Sequence, residues 1–321
     1  MSRLPNAFLV AAMLAAGGCV GARIERDPGL AAEAKAVGFL KREVPAWSRD
    51  NGCFSCHNNG DAARALYAAK QKGHRIPSRS LADTTAWTVQ PGRWDKNKGD
   101  PGFSDQRLAD IQFASALLSA MKAGEVTDQQ PLLDAARKIS ATQNADGSWP
   151  IDTANPVGSP ATYGAALATA VALRTLAAAA TPETATAVAK GQEWLRWQRP
   201  SNTPAAAALI LADVDAAGTA TLRAACRVFL HRAQSSDGGW GPYADSPPEV
   251  FDTALALLAL AQPVREPDAA EMIRRGRAFL VAAQLSDGSW PATTRPSGGR
   301  SYAQRMSTTG WATLALLATR Q

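Results

Sequence analysis

Two cysteines and a histidine form the most reactive group of residues in this chain. Cys53, Cys56 and His57 fit the pattern C-x-x-C-H. Two thiols at this spacing can form thioether bonds to the vinyl groups of a porphyrin, and the next imidazole can bind its iron. The flanking residues 51–52 and 58–60 are Asn and Gly, which predict a polar loop able to open around such a group. The pattern therefore predicts a covalently bound c-type haem with His57 as a ligand of the haem iron.

The same three residues are also compatible with a disulfide or a metal site. In an oxidising compartment, Cys53 and Cys56 could instead close a short disulfide loop. A zinc site fits less well, because a fourth ligand and a second cysteine pair are missing. If haem is bound, the sequence does not choose its distal ligand; the candidates are His74, Met121, Met272 and Met306.

The beginning of the chain has the features of an export signal. Arg3 precedes an apolar run at 7–16 that is too short to span a membrane. Small residues then lead into Cys19, as in a bacterial lipobox, although Ala16 stands where leucine is usual. We expect residues 1–18 to be a lipoprotein-type signal peptide and Cys19 to be lipidated, with ordinary signal cleavage nearby as the alternative. Val20 after the cysteine favours the outer membrane, on its periplasmic face.

The length and net charge of the chain limit its domain organisation and the kinds of partner that we expect. The chain has 321 residues and a formal net charge of +6, with the basic residues scattered along it. A chain of this length can form one large domain, so we expect a linker at 19–28 and a single domain at 29–321. No basic stripe interleaved with aromatic residues is present, so we expect no nucleic-acid partner. After the signal, no stretch reaches the length of a membrane-spanning helix.

A loop signature of Gln, Asp-Gly and Trp repeats along the chain. Its three complete copies are Gln143, Asp146, Gly147 and Trp149; Gln234, Asp237, Gly238 and Trp240; and Gln284, Asp287, Gly288 and Trp290. A degenerate copy lies at Gln198. Each copy follows a helix of mixed polarity and precedes a helix that is apolar almost all round, as outer and inner layers require.

The repeats predict six helical hairpins. The predicted outer helices are 30–43, 80–88, 132–142, 184–197, 221–233 and 270–283, and the predicted inner helices are 61–70, 105–123, 163–178, 203–211, 250–261 and 308–318. The C-x-x-C-H motif occupies the loop of the first hairpin. In each loop we expect Gly to make a tight turn, Trp to donate its indole N–H, Gln to bond free backbone groups and Asp to cap a helix start.

This signature resembles the QW repeat of squalene–hopene cyclases and protein prenyltransferase β subunits. The resemblance covers about residue 130 to the end of the chain and implies an all-α fold, the α6/α6 toroid of two concentric helical rings. The family's activities are not carried over. The protonating Asp-x-Asp-Asp motif is absent, since Asp213-Val214-Asp215-Ala216 lacks the last Asp, and Cys226 and His231 lie on an outer helix and do not form a prenyltransferase zinc site.

Carboxylates at the starts of inner helices give a further possibility. Paired carboxylates could process a glycan, and the candidates are Asp61, Asp105, Asp110, Glu249 and Asp252, although such residues more often cap helices. Tyr163, Asp252 and Tyr302 are candidates to line the central cavity.

Together these features predict an exported, lipid-anchored toroid with a c-type haem, acting with a redox partner protein in electron transfer or in redox-linked ligand binding. The alternative is a non-haem enzyme like squalene cyclases or prenyltransferases, or a binding protein, for a hydrophobic or glycan ligand in the central cavity, with a Cys53–Cys56 disulfide.

Overall fold

The structure is a computed structural model, and it describes residues 27–98, 105–151, 164–212, 219–262, 269–293 and 300–320. Over these residues the chain is all-α, with no β-strand longer than an isolated bridge. None of the helices in these ranges is both long and apolar enough to cross a membrane.

Helices alternate between an outer and an inner ring. The outer helices are α1 (Pro28–Asn51), α3 (Ala82–Thr88), α5 (Gln130–Ser140), α7 (Pro182–Arg196), α9 (Thr219–Ala233) and α11 (Ala269–Ala283). The inner helices are α2 (Ala63–Gln71), α4 (Gln106–Lys122), α6 (Gly164–Ala179), α8 (Thr203–Leu211), α10 (Val250–Leu260) and α12 (Tyr302–Ala318). A π-helical segment, Cys56–Ala62, leads into α2, and short 3-10 segments occur at Ser78–Ser80 and Pro91–Lys96.

The inner helices contact one another in chain order, and α12 returns to α2 and the π-helical segment. The inner ring is therefore closed, which confirms the predicted toroid. A small residue allows the closing contact, because a Cβ on Gly310 would lie 2.7 Å from the carbonyl oxygen of Asp61. Gly60 likewise allows the π-helical segment to approach α4, since a Cβ there would lie 2.9 Å from Cβ of Gln112.

Two helix boundaries differ clearly from the prediction, and local interactions explain one of them. Helix α12 begins at Tyr302, before the predicted 308, because Ser301 and Gln304 form a capping box. Helix α1 continues to Asn51, past Pro45 and past the predicted end at 43. It ends at Gly52, whose φ of 63° is left-handed and whose N–H bonds the carbonyl of Ser48 at 3.0 Å.

The loop glutamines join neighbouring outer helices. Each donates one hydrogen bond to the glycine carbonyl of its own turn and another to a carbonyl of the next outer helix. The second acceptors are Ala187 for Gln143 at 2.9 Å, Met272 for Gln234 at 3.0 Å and Ala32 for Gln284 at 2.8 Å. The predicted bond to free backbone groups is therefore formed, and it extends to the neighbouring hairpin.

The loop tryptophans join each outer helix to its own inner helix. All three are fully buried, and their indole N–H groups donate to carbonyls ten residues upstream. Those acceptors are Ile139 for Trp149, Leu230 for Trp240 and Leu280 for Trp290, at 2.9, 2.7 and 2.7 Å. Their backbone N–H groups donate to the hydroxyls of Thr169, Thr253 and Thr309 on the inner helices.

The loop aspartates do not cap helix starts, which corrects the prediction. Asp146 and Asp287 each accept hydrogen bonds from the N–H and hydroxyl of the serine two residues on, so they stabilise their own turns. Asp237, which has no such serine, is exposed. The degenerate copy does not form the bond to the next outer helix. Gln198 donates to the carbonyl of Trp194 in its own helix, and Trp197 is 72% exposed.

Candidate functional site

The C-x-x-C-H motif lies at the end of the toroid where the inner helices begin. Asn97 holds the backbone of Phe54 by accepting from its N–H at 3.0 Å and donating to its carbonyl. The hydroxyl of Ser55 then caps the π-helical segment by accepting from the N–H of Asn58 at 2.9 Å. The motif therefore forms the first turn of an inner helix, and only Cys53 to Ser55 remain in the loop.

Two buried asparagines fix this turn to its surroundings. The side-chain amide of Asn58 donates to the carbonyl of Glu43 at 2.8 Å and to the hydroxyl of Tyr302 at 2.9 Å. The Asn59 amide donates to the hydroxyl of Thr84 at 2.8 Å. These bonds reach α1, α12 and α3, so the asparagines connect this loop to neighbouring helices as the glutamines do in the repeats.

The His57 ring packs against two aromatic side chains. Its centroid lies 5.1 Å from that of Trp47 and 6.0 Å from that of Tyr302, and these two rings stack on each other. The ring atom Nε2 is buried and has no hydrogen-bond partner. Burial lowers the pKa of His57 to about 3, so the imidazole is neutral at ordinary pH, the form in which histidine binds metals.

Both motif cysteines are free thiols in this structure, and both are partly buried. Burial, with a smaller effect of the Asp61 carboxylate, raises the pKa of the Cys56 thiol to about 12. A thiol with a raised pKa is a poor nucleophile at neutral pH, which distinguishes Cys56 from the low-pKa cysteine of a reactive dithiol. Cys226 is buried on the outer helix α9, as expected, and burial also raises its pKa to about 12.

His74 is not close to this motif along the inner helix, because it follows the far end of α2. Its Nε2 contacts the carboxylate of Glu33, which also pairs with Arg320. Because these contacts occupy Nε2 of His74 away from the motif, we no longer consider His74 a candidate for the distal haem ligand.

The carboxylate candidates have individual structural partners. Asp105 caps α4 through the N–H groups of Arg107 and Leu108, at 3.0 and 3.2 Å. Asp61 is buried and accepts from Gln112 at 2.8 Å, from Ser307 and from Trp311 at 3.2 Å.

Asp110 accepts from Gln106 at 2.8 Å and lies 3.4 Å from Nζ of Lys138. Glu249 occupies the N-cap position of α10 without a side-chain capping bond, and Asp252 is fully buried in the first turn of that helix.

Several predicted residues lie outside the described ranges. They are residues 1–18, Cys19, Tyr163 and the string Asp213-Val214-Asp215. Tyr302 is described, and it lies beside the C-x-x-C-H motif, where its hydroxyl donates to Glu43 at 3.1 Å. Burial, the largest cause, raises the pKa of Tyr302 to about 12.

A cavity of about 300 Å³ lies on the axis of the inner ring, nearer the C-terminal ends of the inner helices than their N-terminal ends. We call it the central cavity. All six inner helices line it, and neither Asp252 nor Tyr302 is among the lining residues. Its charged lining consists of Arg64, Lys72, Lys122 and Arg174, with no Asp or Glu among the described residues.

Sequence reasoning missed Arg64 and Arg174 as site residues, although the sequence contained a signal. Arg174 is the one charged residue of the inner helix α6, and Arg64 interrupts the apolar run 62–69 at the beginning of α2. Such a residue must be paired, or must face a cavity, because burying an uncompensated charge is costly.

No group of three or more His, Cys, Asp and Glu side chains that could hold a metal ion occurs within the part of the chain that the structure describes. This result concerns protein ligands alone. A haem supplies four ligands of its iron itself and needs one from the chain.

Solved structures share this fold at low sequence identity. A protein from Actinoplanes matches with a TM-score of 0.59 and 18% identity, covering 91% of this chain and 99% of that one. A variant of the type II terpene cyclase MstE from Scytonema, in complex with geranylgeranyl dihydroxybenzoate, matches with a TM-score of 0.55 and 11% identity, covering 91% and 98%. A glycosidase in complex with glucose matches with a TM-score of 0.51 and 13% identity, covering 90% and 98%.

No protein-family model matches the chain, and no curated protein is similar to it in sequence. At the identities found, the structural likeness establishes the fold and no particular activity. The chain is similar in architecture to terpene cyclases and glycosidases: a closed α/α toroid.

Proposed function

We propose that this chain carries a covalently attached c-type haem at Cys53 and Cys56, with His57 as an iron ligand, and that it acts in electron transfer or in redox-linked ligand binding. One observation supports the proposal most directly: Nε2 of His57 is buried without a hydrogen-bond partner. A buried polar atom without a partner is costly, and coordination of a metal removes that cost.

The chemistry of the three side chains fits such a group. His57 is neutral because burial lowers its pKa to about 3. Cys53 and Cys56 are free, so each S–H can add across one vinyl group of the porphyrin to give a thioether. The bound haem would supply one-electron redox chemistry.

Aromatic side chains supply an apolar environment beside the motif. Phe54 stacks on Trp87 with centroids 4.5 Å apart, and Trp47 stacks on Tyr302 at 5.7 Å. Because Nε2 of His57 is covered, haem attachment requires the Trp47–Tyr302 pair to move off the imidazole. The motif also begins a π-helical segment, a distortion that often occurs at functional sites.

The position of the motif supports exchange of electrons with a partner protein. Cys53 is partly exposed at the rim of the toroid, and residues 49–52 at the end of α1 are exposed. A haem attached here would have an edge near the surface and would leave the central cavity open for a second ligand. We further propose export and an N-terminal lipid on Cys19, which would place the chain on the periplasmic face of a bacterial membrane, where haem c is attached.

The alternative is an enzyme or binding protein without haem, of the kind that the terpene cyclase and glycosidase likenesses suggest, with a Cys53–Cys56 disulfide. The central cavity argues against cyclase or glycosidase chemistry within it. Its described lining is cationic and contains no carboxylate, whereas glycoside hydrolysis needs two carboxyl groups and a carbocation is repelled by positive charge.

The test is the intact mass of the protein produced in a bacterial host that attaches haem c. We expect the wild type to carry the mass of one haem after denaturation, because thioethers survive unfolding. The double variant Cys53→Ser/Cys56→Ser should lack that mass. The control is Cys226→Ala, which changes a buried cysteine outside the motif and should keep the haem. A wild-type protein that lacks haem and whose mass is lower than that of the free-thiol chain by two hydrogen atoms would instead support the disulfide alternative.

A further inference from the structure

Arg64 lies at the inner end of the central cavity with an incompletely paired charge. The side chain is 7% exposed, and Nη1 donates to the hydroxyl of Ser115 at 3.0 Å. Its guanidinium lies 4.0 Å from the centre of the Trp311 ring. Nε and Nη2 are buried and have no hydrogen-bond partner. Because arginine stays protonated, this is a buried cation with two unsatisfied donor atoms, and no carboxylate lines the cavity among the described residues.

Further cations face the same space and repel one another. Burial, and then the charge of Arg64, lower the pKa of Arg174. Burial, and then the charge of Arg174, lower the pKa of Lys122. The Arg174 side chain lines the cavity and is exposed. Like charges held together in a protein cavity cost free energy unless an anion joins them.

Favourable interactions with helix dipoles explain the positions of only two of these four cations. Lys122 is the last residue of α4 and Lys72 follows the last residue of α2, so both lie where the negative end of a helix favours a cation. Arg64 is the second residue of α2, and Arg174 lies more than one turn before the end of α6. Neither arginine can be explained as a partner of a helix end.

The remaining lining of the cavity is largely apolar. It includes Leu118, Leu167, Val171, Leu258 and Leu314. Water could satisfy the free N–H groups of Arg64, but water carries no charge to offset the cations. A ligand that satisfies both parts of the lining must have an acidic group and an apolar body.

We propose that the central cavity binds a small organic anion, with its carboxylate or phosphate group between Arg64 and Arg174 and its apolar body against the leucines. Lys72 and Lys122 at the mouth would attract such an anion. The volume of about 300 Å³ is at the lower end of ligand pockets and suits a short alkyl or aromatic acid. This inference does not depend on haem attachment, because no residue of the C-x-x-C-H motif lines the cavity.

The first test is calorimetric titration of the full chain with octanoate, octyl phosphate and octanol, three ligands with the same apolar chain. We expect at least one of the two anions to bind about tenfold or more tightly than octanol, since a charge-assisted hydrogen bond typically contributes such a factor. A stronger response to octanoate or to octyl phosphate identifies the acidic group. If neither anion binds more tightly than octanol, the proposal is wrong.

The second test uses Arg174→Gln, whose side chain opens into the cavity and leaves no buried hole. We expect the affinity for the anion to fall about tenfold or more, while the melting temperature stays the same or rises because repulsion between the cations is reduced. A purely structural arginine would show the opposite pattern. The control is Arg232→Gln on the exposed face of the outer helix α9, which should leave both quantities unchanged. Unchanged anion affinity in Arg174→Gln would overturn the proposal.

Discussion

The side-chain amide of Gln284 donates a hydrogen bond of 2.8 Å to the carbonyl oxygen of Ala32, which joins the last loop of the toroid to its first helix. The two residues are 252 positions apart. The same type of bond joins the loops of Gln143 and Gln234 to the next outer helix, so ring closure uses an interaction that also joins earlier hairpins. We therefore expect the toroid to unfold as one cooperative unit.

Replacement of Trp240 by alanine should destabilise the protein strongly. The ring is fully buried, and its indole N–H donates to Leu230 at 2.7 Å. We expect the free energy of unfolding to fall by about 3–5 kcal/mol, from the cavity and the lost bond. Urea unfolding measures this change. The matched control is Trp197→Ala in the degenerate loop, where the ring is 72% exposed and a change within about 0.5 kcal/mol is expected. Equal effects of the two variants would contradict the assigned role of the loop.

Gly288→Ala should destabilise the closure of the ring. Gly288 has a φ of 95°, and an added Cβ would lie 2.4 Å from the carbonyl oxygen of Lys35 on α1. We expect a loss of roughly 1–3 kcal/mol from backbone strain and displacement of α1. Gly38→Ala on the same helix is the control, because its Cβ would meet nothing within 4 Å. That variant should be neutral or more stable by up to about 1 kcal/mol. Thermal melting of both variants is sufficient, and a harmless Gly288→Ala would refute the close packing.

Arg320→Ala should destabilise the protein in a pH-dependent way. Arg320 pairs with Glu33, whose side chain is 1% exposed. Burial alone would raise the pKa of Glu33, but hydrogen bonds and charges from Arg320 and His74 outweigh it and lower this pKa. The stabilising contribution is therefore present above about pH 4.3, the unfolded pKa, and is lost as the pH falls through the folded pKa.

At pH 7 we expect Arg320→Ala to cost about 2–4 kcal/mol, because it leaves Glu33 buried with only His74 beside it. Urea unfolding at pH 7 and pH 3 should show the cost shrinking at the lower pH. The control is Arg274→Ala, which breaks an exposed ion pair with Glu271 and should have little effect. A cost that is the same at both pH values would contradict the ion pair as its cause.

Asp110→Asn should stabilise the protein at neutral pH and not at acid pH. Burial raises the pKa of Asp110 to about 6, and the attraction of Lys138 only partly opposes this rise. Lys138 itself has a raised pKa, because Asp95 and Asp110 outweigh its burial, so it stays charged and is shared between two carboxylates. The folded state therefore holds a proton on Asp110 that the unfolded state has released, and stability falls as the pH rises from about 4 to 6.

The asparagine removes this ionisation and keeps an oxygen that can accept from Gln106. We expect a gain at pH 7 of as much as about 3 kcal/mol, vanishing near pH 4. Stability measured against pH checks this, with Asp134→Asn on the outer helix α5 as a control that should show no such gain. A variant that is less stable than the wild type at pH 7 would show that the Lys138 pair outweighs burial.

Much of the fold was predictable because it depends on local patterns. The apolar inner helices, the mixed outer helices and the Gln, Gly and Trp positions of the loops recur in the sequence, so each repeat supports the others. The sequence analysis placed the start of this helix at 308 because residues 302–307 are too polar for a typical inner helix. The capping box of Ser301 and Gln304 nevertheless starts α12 at Tyr302. Asp146 and Asp287 were misassigned because the serine two residues later is a nearer hydrogen-bond partner than a helix end.

The site was less predictable. The C-x-x-C-H motif is visible in the sequence, but the closed packing of Trp47 and Tyr302 around His57 depends on residues from opposite ends of the chain. The cation cluster of the central cavity likewise combines Arg64 and Arg174 from different inner helices. Such proximity follows from ring closure and cannot be read from spacing along the chain.

The most direct test of the haem proposal is a pyridine haemochrome spectrum of protein from a host that attaches haem c, compared with Cys53→Ser/Cys56→Ser. We predict the absorption of a haem joined by two thioethers in the wild type, in about one equivalent per chain, and none in the double variant. A wild type without covalent haem would contradict the account and would leave a toroid whose function lies in its central cavity.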